Sequence, residues 1–312
     1  MFAYKNSPRH GRHMYVLNKL HFPLIVLVLI FALAGTIFAV SRLNNGVNND
    51  KRDLLAIWND GDFYNAYNVS KAALNQNPVD YFFLTINGFA AFQLGISQIN
   101  SQNMLNFINE CIFSLRKALI NKASLNDGRV YYVLGKAYGY KGNEYSDLAV
   151  KYLEMANSLS YDAHDIPEYL GLAYAANGDY RNSVAAFSQA FVPEKPPSDN
   201  LLLSIARSYM AMEEFNMAAG YLQRCIDISP DSKSVVIARM LLAEIHILTG
   251  NYSNAQEQYM KILETSGDNA EVRFQLGEIY NLQGDTTRAR AEWRLAYRQD
   301  PAHARARARL NY

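Results

Sequence analysis

The sequence predicts an all-α protein: an array of about seven stacked helix pairs preceded by one membrane-crossing helix. Three observations predict it. The stretch from Phe22 to Val40 carries no charged residue. After it, a phrase built on a small residue, an aromatic and a Gly-Asp or Gly-Asn turn recurs down the chain. Successive copies of that phrase lie close to 34 residues apart.

Composition narrows the function classes. Half of the 312 residues are hydrophobic and 19% are charged, which excludes a disordered, low-hydrophobicity chain. Lys+Arg 30 against Asp+Glu 29 leaves +1, so attraction of the whole protein to nucleic acid is excluded as its main role. Two cysteines cannot build a disulfide scaffold or a four-cysteine zinc site. The 22 Tyr and 15 Phe supply apolar surface for a large core.

The first element is the apolar run FPLIVLVLIFALAGTIFAV. As a helix it rises about 28 Å, close to the ~30 Å hydrocarbon core of a bilayer. Lys5, Arg9, Arg12 and Lys19 precede it without an acid; Arg42, Lys51 and Arg52 follow it among Asp50, Asp53 and Asp60. This modest bias, with the N-terminal placement, predicts a cytoplasmic N-terminus and an exported remainder. Ala32-Leu33-Ala34 offers a competing cleavage site before Gly35, but the apolar run continues to Val40, which suits an uncleaved anchor better. The inverted orientation is the third reading.

The repeat comes next. Leu134-Gly135-Lys136-Ala137-Tyr138 runs on to Gly142-Asn143, Leu170-Gly171-Leu172-Ala173-Tyr174 to Gly178-Asp179-Tyr180, and Leu276-Gly277-Glu278-Ile279-Tyr280 to Gly284-Asp285. Small or equivalent positions at Leu54, Gly88, Gly135, Gly171, Ala206, Ala243 and Gly277 are 34, 47, 36, 35, 37 and 34 residues apart. Second-helix pairs seven residues apart follow: Ala66/Ala73, Ala149/Ala156, Ala218/Cys225 and Ala289/Ala296. Pro78, Pro230 and Pro301 close three units. The pattern resembles the tetratricopeptide repeat, in which antiparallel helix pairs stack into a superhelical solenoid.

Each residue type in the phrase has a physical task. Gly or Ala stands where two helices touch. The turn needs a residue tolerant of positive φ, and Gly61, Gly95, Gly142, Gly178, Gly250 and Gly284 are the candidates. The Asp or Asn after it can cap the second helix. Three units depart from the pattern. The third carries two additional residues around Glu144–Ser146, which predicts only a longer turn. The second has about eleven extra residues around ISQINSQNMLN, read as a lengthened helix pair or loop, or else a dedicated contact site. The first has Leu54 where Gly is expected, which predicts irregular packing. The chain thus divides into a basic leader (1–21), a signal-anchor (22–40), a linker (41–47), the array (48–301) and a basic C-terminal capping segment (302–312).

No catalytic, cofactor or metal motif appears. His164, His246 and His303 stand apart without ligand spacing, and His246 takes a core Tyr position of its unit. Cys111 and Cys225 read as buried, unpaired thiols, Cys225 at a small-residue position. Asn68-Val69-Ser70 and Asn251-Tyr252-Ser253 match the glycosylation pattern, a weak signal.

The resemblance implies a partner groove lined by first helices. Its ligand-facing offsets select Phe82, Phe89 and Phe92; Arg129, Tyr132, Lys136 and Tyr140; Leu203, Arg207 and Met210; Met240, Glu244 and Ile247; and Phe274 and Glu278. The lining is apolar and aromatic with sparse mixed charge, which suits an extended or helical protein segment. The competing reading is that some of these side chains are core. At the C-terminus, Arg294, Arg298, Arg305 and Arg309 form a basic end, read as a solvated capping helix or as an electrostatic attachment point.

The combined expectation is a non-catalytic, membrane-anchored interaction scaffold or chaperone-like adaptor in the cell envelope. It is similar in arrangement to bacterial inner-membrane tetratricopeptide proteins. A self-associating or cell-wall-organising protein is the alternative, as is a cytoplasmic adaptor if the topology is inverted.

Overall fold

The computed structural model describes residues 50–120, 126–192 and 195–311. The predicted leader, anchor and linker lie outside the described residues. Among the described residues, no helix is long and apolar enough to cross a membrane.

Fifteen α-helices run through the described chain as seven antiparallel pairs and a final single helix. The pairs are α1 (50–59) with α2 (Phe63–Gln76), α3 (Tyr81–Ile96) with α4 (Ser101–Ala118), and α5 (Gly128–Lys141) with α6 (Ser146–Ser158). Then follow α7 (Ile166–Ala176) with α8 (Tyr180–Gln189), and α9 (Asp199–Ala211) with α10 (Phe215–Ile228). Last come α11 (Ser232–Leu248) with α12 (Tyr252–Ser266), α13 (Ala270–Leu282) with α14 (Thr286–Gln299), and the lone α15 (Ala304–Leu310). Each helix packs on the next, and first helices also touch the first helices of adjoining units, as α3 touches α5 and α5 touches α7. The core is accordingly a file of local clusters, each shared by neighbouring units, which is the quasi-one-dimensional organisation of a solenoid.

The small positions work as steric reasoning expects. Gly88, Gly135, Gly171 and Gly277 each receive one large side chain of the second helix: Leu115, Leu153, Phe187 and Trp293. A Cβ on Gly171 would stand 2.5 Å from the Phe187 ring, and Phe187 has no exposed surface. Leu54 does not disrupt its unit. It is fully buried in one cluster with Ala66 of α2, so the small residue has moved to the partner helix.

Caps and turns explain where the helices start. The side chains of Asp62, Asp179 and Asp285 accept the backbone N–H groups of Asn65, Asn182 and Arg288 at the starts of α2, α8 and α14. Gly61, Gly142, Gly178, Gly250 and Gly284 have positive φ. Gly95 does not. It lies inside α3, where Ile108 of α4 packs against it, and the following turn is closed by Asn100, whose side chain caps α4. In the fifth unit Glu213 itself adopts φ 60 where other units have glycine.

The extra length of the second unit sits mainly in α4, 18 residues long, and in the connection that follows it. The extra residues of the third unit form a 3-10 turn, Asn143–Tyr145. A buried polar network also joins the first two units. Asn87 of α3 donates to Ser70 Oγ at 3.1 Å and accepts from Ser114 Oγ at 2.8 Å. Ser70, the third residue of one glycosylation pattern, is thus fully buried.

Candidate interaction face

One side chain recurs as a joint between units: the aspartate at the N-cap of a first helix. Lys51 Nζ donates to Asp80 at 2.9 Å, and the Tyr81 hydroxyl to Asp127 at 2.6 Å. Tyr132 and Lys136 of α5 both donate to Asp165, at 2.8 and 2.9 Å. Lys136 Nζ also donates to the Tyr132 hydroxyl at 2.8 Å and lies 4.1 Å from the Tyr169 ring centroid. Burial opposes the charge on Asp165, but hydrogen bonds from Lys136 and Tyr132 outweigh it and hold the carboxyl below the ordinary aspartate range. Burial, partly offset by Lys136, pushes the Tyr132 phenol up to about 12. The Lys136 ammonium loses from burial yet ends above its ordinary value through its bonds to Tyr132 and Asp165. Lys51, Arg129 and Lys136 therefore face internal acids.

Between these joints the first helices enclose grooves. One of about 440 Å³ runs across units one to three and is lined by Trp58, Phe82, Phe89, Phe92, Arg129 and Tyr132. Phe89 and Trp58 approach with ring centroids 6.2 Å apart. A second, about 560 Å³, lies between α5 and α7 beside Lys136, Tyr140, Asp165 and Glu168. A third, about 550 Å³, lies on units six and seven and is lined by Met240, Glu244, Ile247 and exposed Leu248.

The structure divides the groove set inferred from the sequence. Phe82, Phe89, Arg129, Tyr132, Lys136, Tyr140, Met240, Glu244 and Ile247 line open grooves. Phe92 lines a groove too, but 96% of it is buried, its ring meeting Tyr140 edge-on at 5.9 Å. Leu203 is core, packed with Leu202 and Ala206. Arg207 is exposed, and Met210 is half-buried against the same cluster.

On the seventh unit α15 packs over part of the face and leaves a cleft of about 470 Å³, lined by Phe274, Glu278, Arg305 and Arg309. Phe274 is buried beneath the Arg305 guanidinium, 4.7 Å from its ring centroid, and beside the His303 ring. Arg309 forms a two-pronged pair with Glu278 at 2.9 and 2.6 Å, and Arg305 pairs with Glu271 at 2.5 Å. Phe274 and Glu278 are thus engaged by α15, as are Arg305 and Arg309 of the predicted basic end. The reason is positional: α15 takes the place of a next first helix, which would stack on α13. Arg294 and Arg298 remain exposed.

Sequence reasoning passed over two units. The same offsets applied to Leu54 and Gly171 select Lys51, Leu55, Trp58 and Asn59, and Asp165, Glu168, Leu172 and Ala176. Of these, Leu55, Trp58 and Asn59 line the first groove; Asp165, Glu168, Leu172 and Ala176 line the second.

The remaining candidates are structural. Cys111 and Cys225 are free, buried thiols, and burial pushes Cys225 up to about 11. His246 is half-buried, and burial lowers its pKa. No group of three metal-ligating side chains occurs among the described residues.

Comparison with known proteins agrees with this architecture. Residues 198–311 match the family described as a tetratricopeptide repeat-like domain. No curated protein matches the chain. Among solved structures, the C-terminal part of a tetratricopeptide-repeat protein from Cytophaga hutchinsonii superposes with TM-score 0.61 at 14% identity, covering 83% of this chain and 99% of that one. The type IV pilus biogenesis factor PilW gives 0.55 at 18% identity, covering 72% and 98%. Pseudomonas aeruginosa pilF gives 0.50 at 15%, covering 72% and 96%. These likenesses establish a tetratricopeptide-type fold, one consistent with a protein-interaction scaffold.

Proposed function

We propose that the chain is a non-catalytic adaptor that holds a partner protein on its first-helix face while residues 22–40 tether it to a membrane. The observation that carries the reading is the groove across units one to three. Its floor is aromatic, and its nearest cations, Lys51 and Arg129, are paired with Asp80 and Asp127. Such a surface recognises a segment through apolar anchors rather than through a terminal carboxylate. The tether rests on the charge-free run of Phe22 to Val40, and the exported orientation on the basic residues before it.

Two measurements test the proposal. A photo-crosslinking amino acid at Phe89 or Gln93 of the full chain, in its native membrane, yields a discrete envelope-protein adduct. The same probe at exposed Lys151, which lines none of the grooves, does not. No adduct at either groove position in a folded array ends the groove reading. A reporter active on only one side of the membrane, fused after Tyr312, reads out on the exported side; activity on the other side makes the chain a cytoplasmic adaptor.

A further inference from the structure

The last two helices, α14 and α15, are strongly basic. Residues 286–312 hold seven arginines (288, 290, 294, 298, 305, 307, 309), no lysine and two acids, Glu292 and Asp300. The structure sorts these arginines into two sets. Arg288 pairs with Asp285, Arg305 with Glu271 and Arg309 with Glu278. Arg290, Arg294, Arg298 and Arg307 are exposed and have no acidic partner among the described residues. Glu292, the one acid of α14, is engaged by Arg273 at 3.2 Å.

Arg290, Arg294 and Arg298 follow one another at i, i+4 and i+8, so they form a single line about 12 Å long on the outer face of α14. Like charges at that spacing repel and weaken the helix that carries them. No ion pair offsets that repulsion, because all three are exposed and none has an acidic partner among the described residues. A local rule broken without internal compensation marks a surface with an external counterpart. The counterpart is anionic, and the exclusive use of arginine points to oxyanions that accept paired N–H donors from a guanidinium, as phosphate and carboxylate groups do.

Apolar surface decides what presents those oxyanions. The exposed large hydrophobic residues of the described chain end at Leu282, so α14 and α15 offer none beside the arginines. A protein interface draws most of its energy from buried anchors, and this face has none to place. A planar polyanionic surface requires none, since each arginine near it contributes separately. We propose that Arg290, Arg294, Arg298 and Arg307 form a docking surface for the phosphate headgroups of an anionic lipid bilayer. This surface is separate from the partner groove and from the tether at residues 22–40. It leaves the array bound to lipid at its C-terminal end whether or not a partner is present.

The test carries the full chain in nanodiscs of neutral phosphatidylcholine, which removes residues 22–40 from the readout. The loaded discs are floated with vesicles of phosphatidylcholine alone or mixed with phosphatidylglycerol. The discs bind the anionic vesicles and not the neutral ones, and high salt releases them. Each arginine contributes about fivefold to partitioning, so Arg290→Gln/Arg294→Gln/Arg298→Gln binds on the order of 100-fold more weakly. Glutamine is a good helix former, and an unchanged far-UV circular dichroism spectrum verifies the fold of the variant. Equal binding to both vesicles, or a triple variant that binds like the parent, overturns the proposal. So does retention on RNA or an acidic protein without any response to anionic lipid.

Discussion

The carboxylate of Asp165 accepts the hydroxyl of Tyr132 at 2.8 Å and so joins the first helices of the third and fourth units. Lys136, whose side chain is only 12% exposed, completes the joint from the same helix as Tyr132. Asp165 and Lys136 line the groove beside α5 and α7, so the joint forms part of that groove's wall.

Asp165→Ala leaves the Lys136 ammonium half-desolvated and unpaired, and is expected to cost about 2 kcal/mol. Tyr132→Phe removes the hydroxyl that donates to Asp165 and accepts from Lys136, and costs about 1 to 2 kcal/mol. Because repeat arrays open locally, the measurement is hydrogen exchange of α5 and α7 amides. Protection unchanged in Asp165→Ala would show that the joint contributes nothing.

Acid should weaken the array through the same groups. Burial raises the carboxyls of Asp127, Asp165 and Glu271, but hydrogen bonds from Arg129 and Tyr81, from Lys136 and Tyr132, and from Gln275 and Arg305 outweigh it and hold all three below their ordinary values. The folded state therefore binds these protons less readily than the unfolded state. Their stabilisation is complete above the unfolded values of about 3.9 to 4.3 and is lost as pH falls through the lowered folded ones. Thermal melts are expected to be level near neutrality and to drop below about pH 4. Asp165→Asn shrinks that drop; a midpoint that rises in acid contradicts the assignment.

Gly171 and Gly178 are both glycine for different reasons, and substitutions separate them. Gly171→Leu drives a side chain into the buried Phe187 ring and is expected to cost about 3 kcal/mol. Gly178→Ala meets no atom within 4 Å but must hold φ +76, at a cost of about 1 kcal/mol. Urea midpoints of the two variants test the order; Gly178→Ala as the costlier change would refute it.

Glu213 offers the opposite experiment. At φ 60 its Cβ is strained where five other units have a turn glycine of positive φ. Glu213→Gly relieves that strain and partly offsets it by a more flexible unfolded chain. The expected outcome is stabilisation of up to about 1 kcal/mol, read as a higher melting temperature. A fall in melting temperature would mean that the Glu213 side chain has a stabilising contact of its own.

Much of this architecture was legible because each small residue has one steric role. Gly135, Gly171 and Gly277 mark contacts between helices, and Asp62, Asp179 and Asp285 mark helix starts; both kinds of information are local. Gly95 misled because glycine serves equally at a turn and at a close helix contact, and only the facing Ile108 separates the two. The groove was legible for units two, three and six, where small residues set the register. Leu203 and Phe92 were harder to read, since the same offset leads to a groove or to core according to how neighbouring helices lean.

The sequence by itself determined the repeat and its register, because 34-residue periodicity and helix geometry are properties of short segments. Only the tertiary structure decided which charges remain available. Arg305 and Arg309 stand 34 and 31 residues from Glu271 and Glu278, the separation at which stacked first helices meet. Stacking closes those pairs and leaves Arg290, Arg294 and Arg298 on an outer face. Composition therefore counts the charges at the C-terminal end, while packing selects the ones that reach solvent.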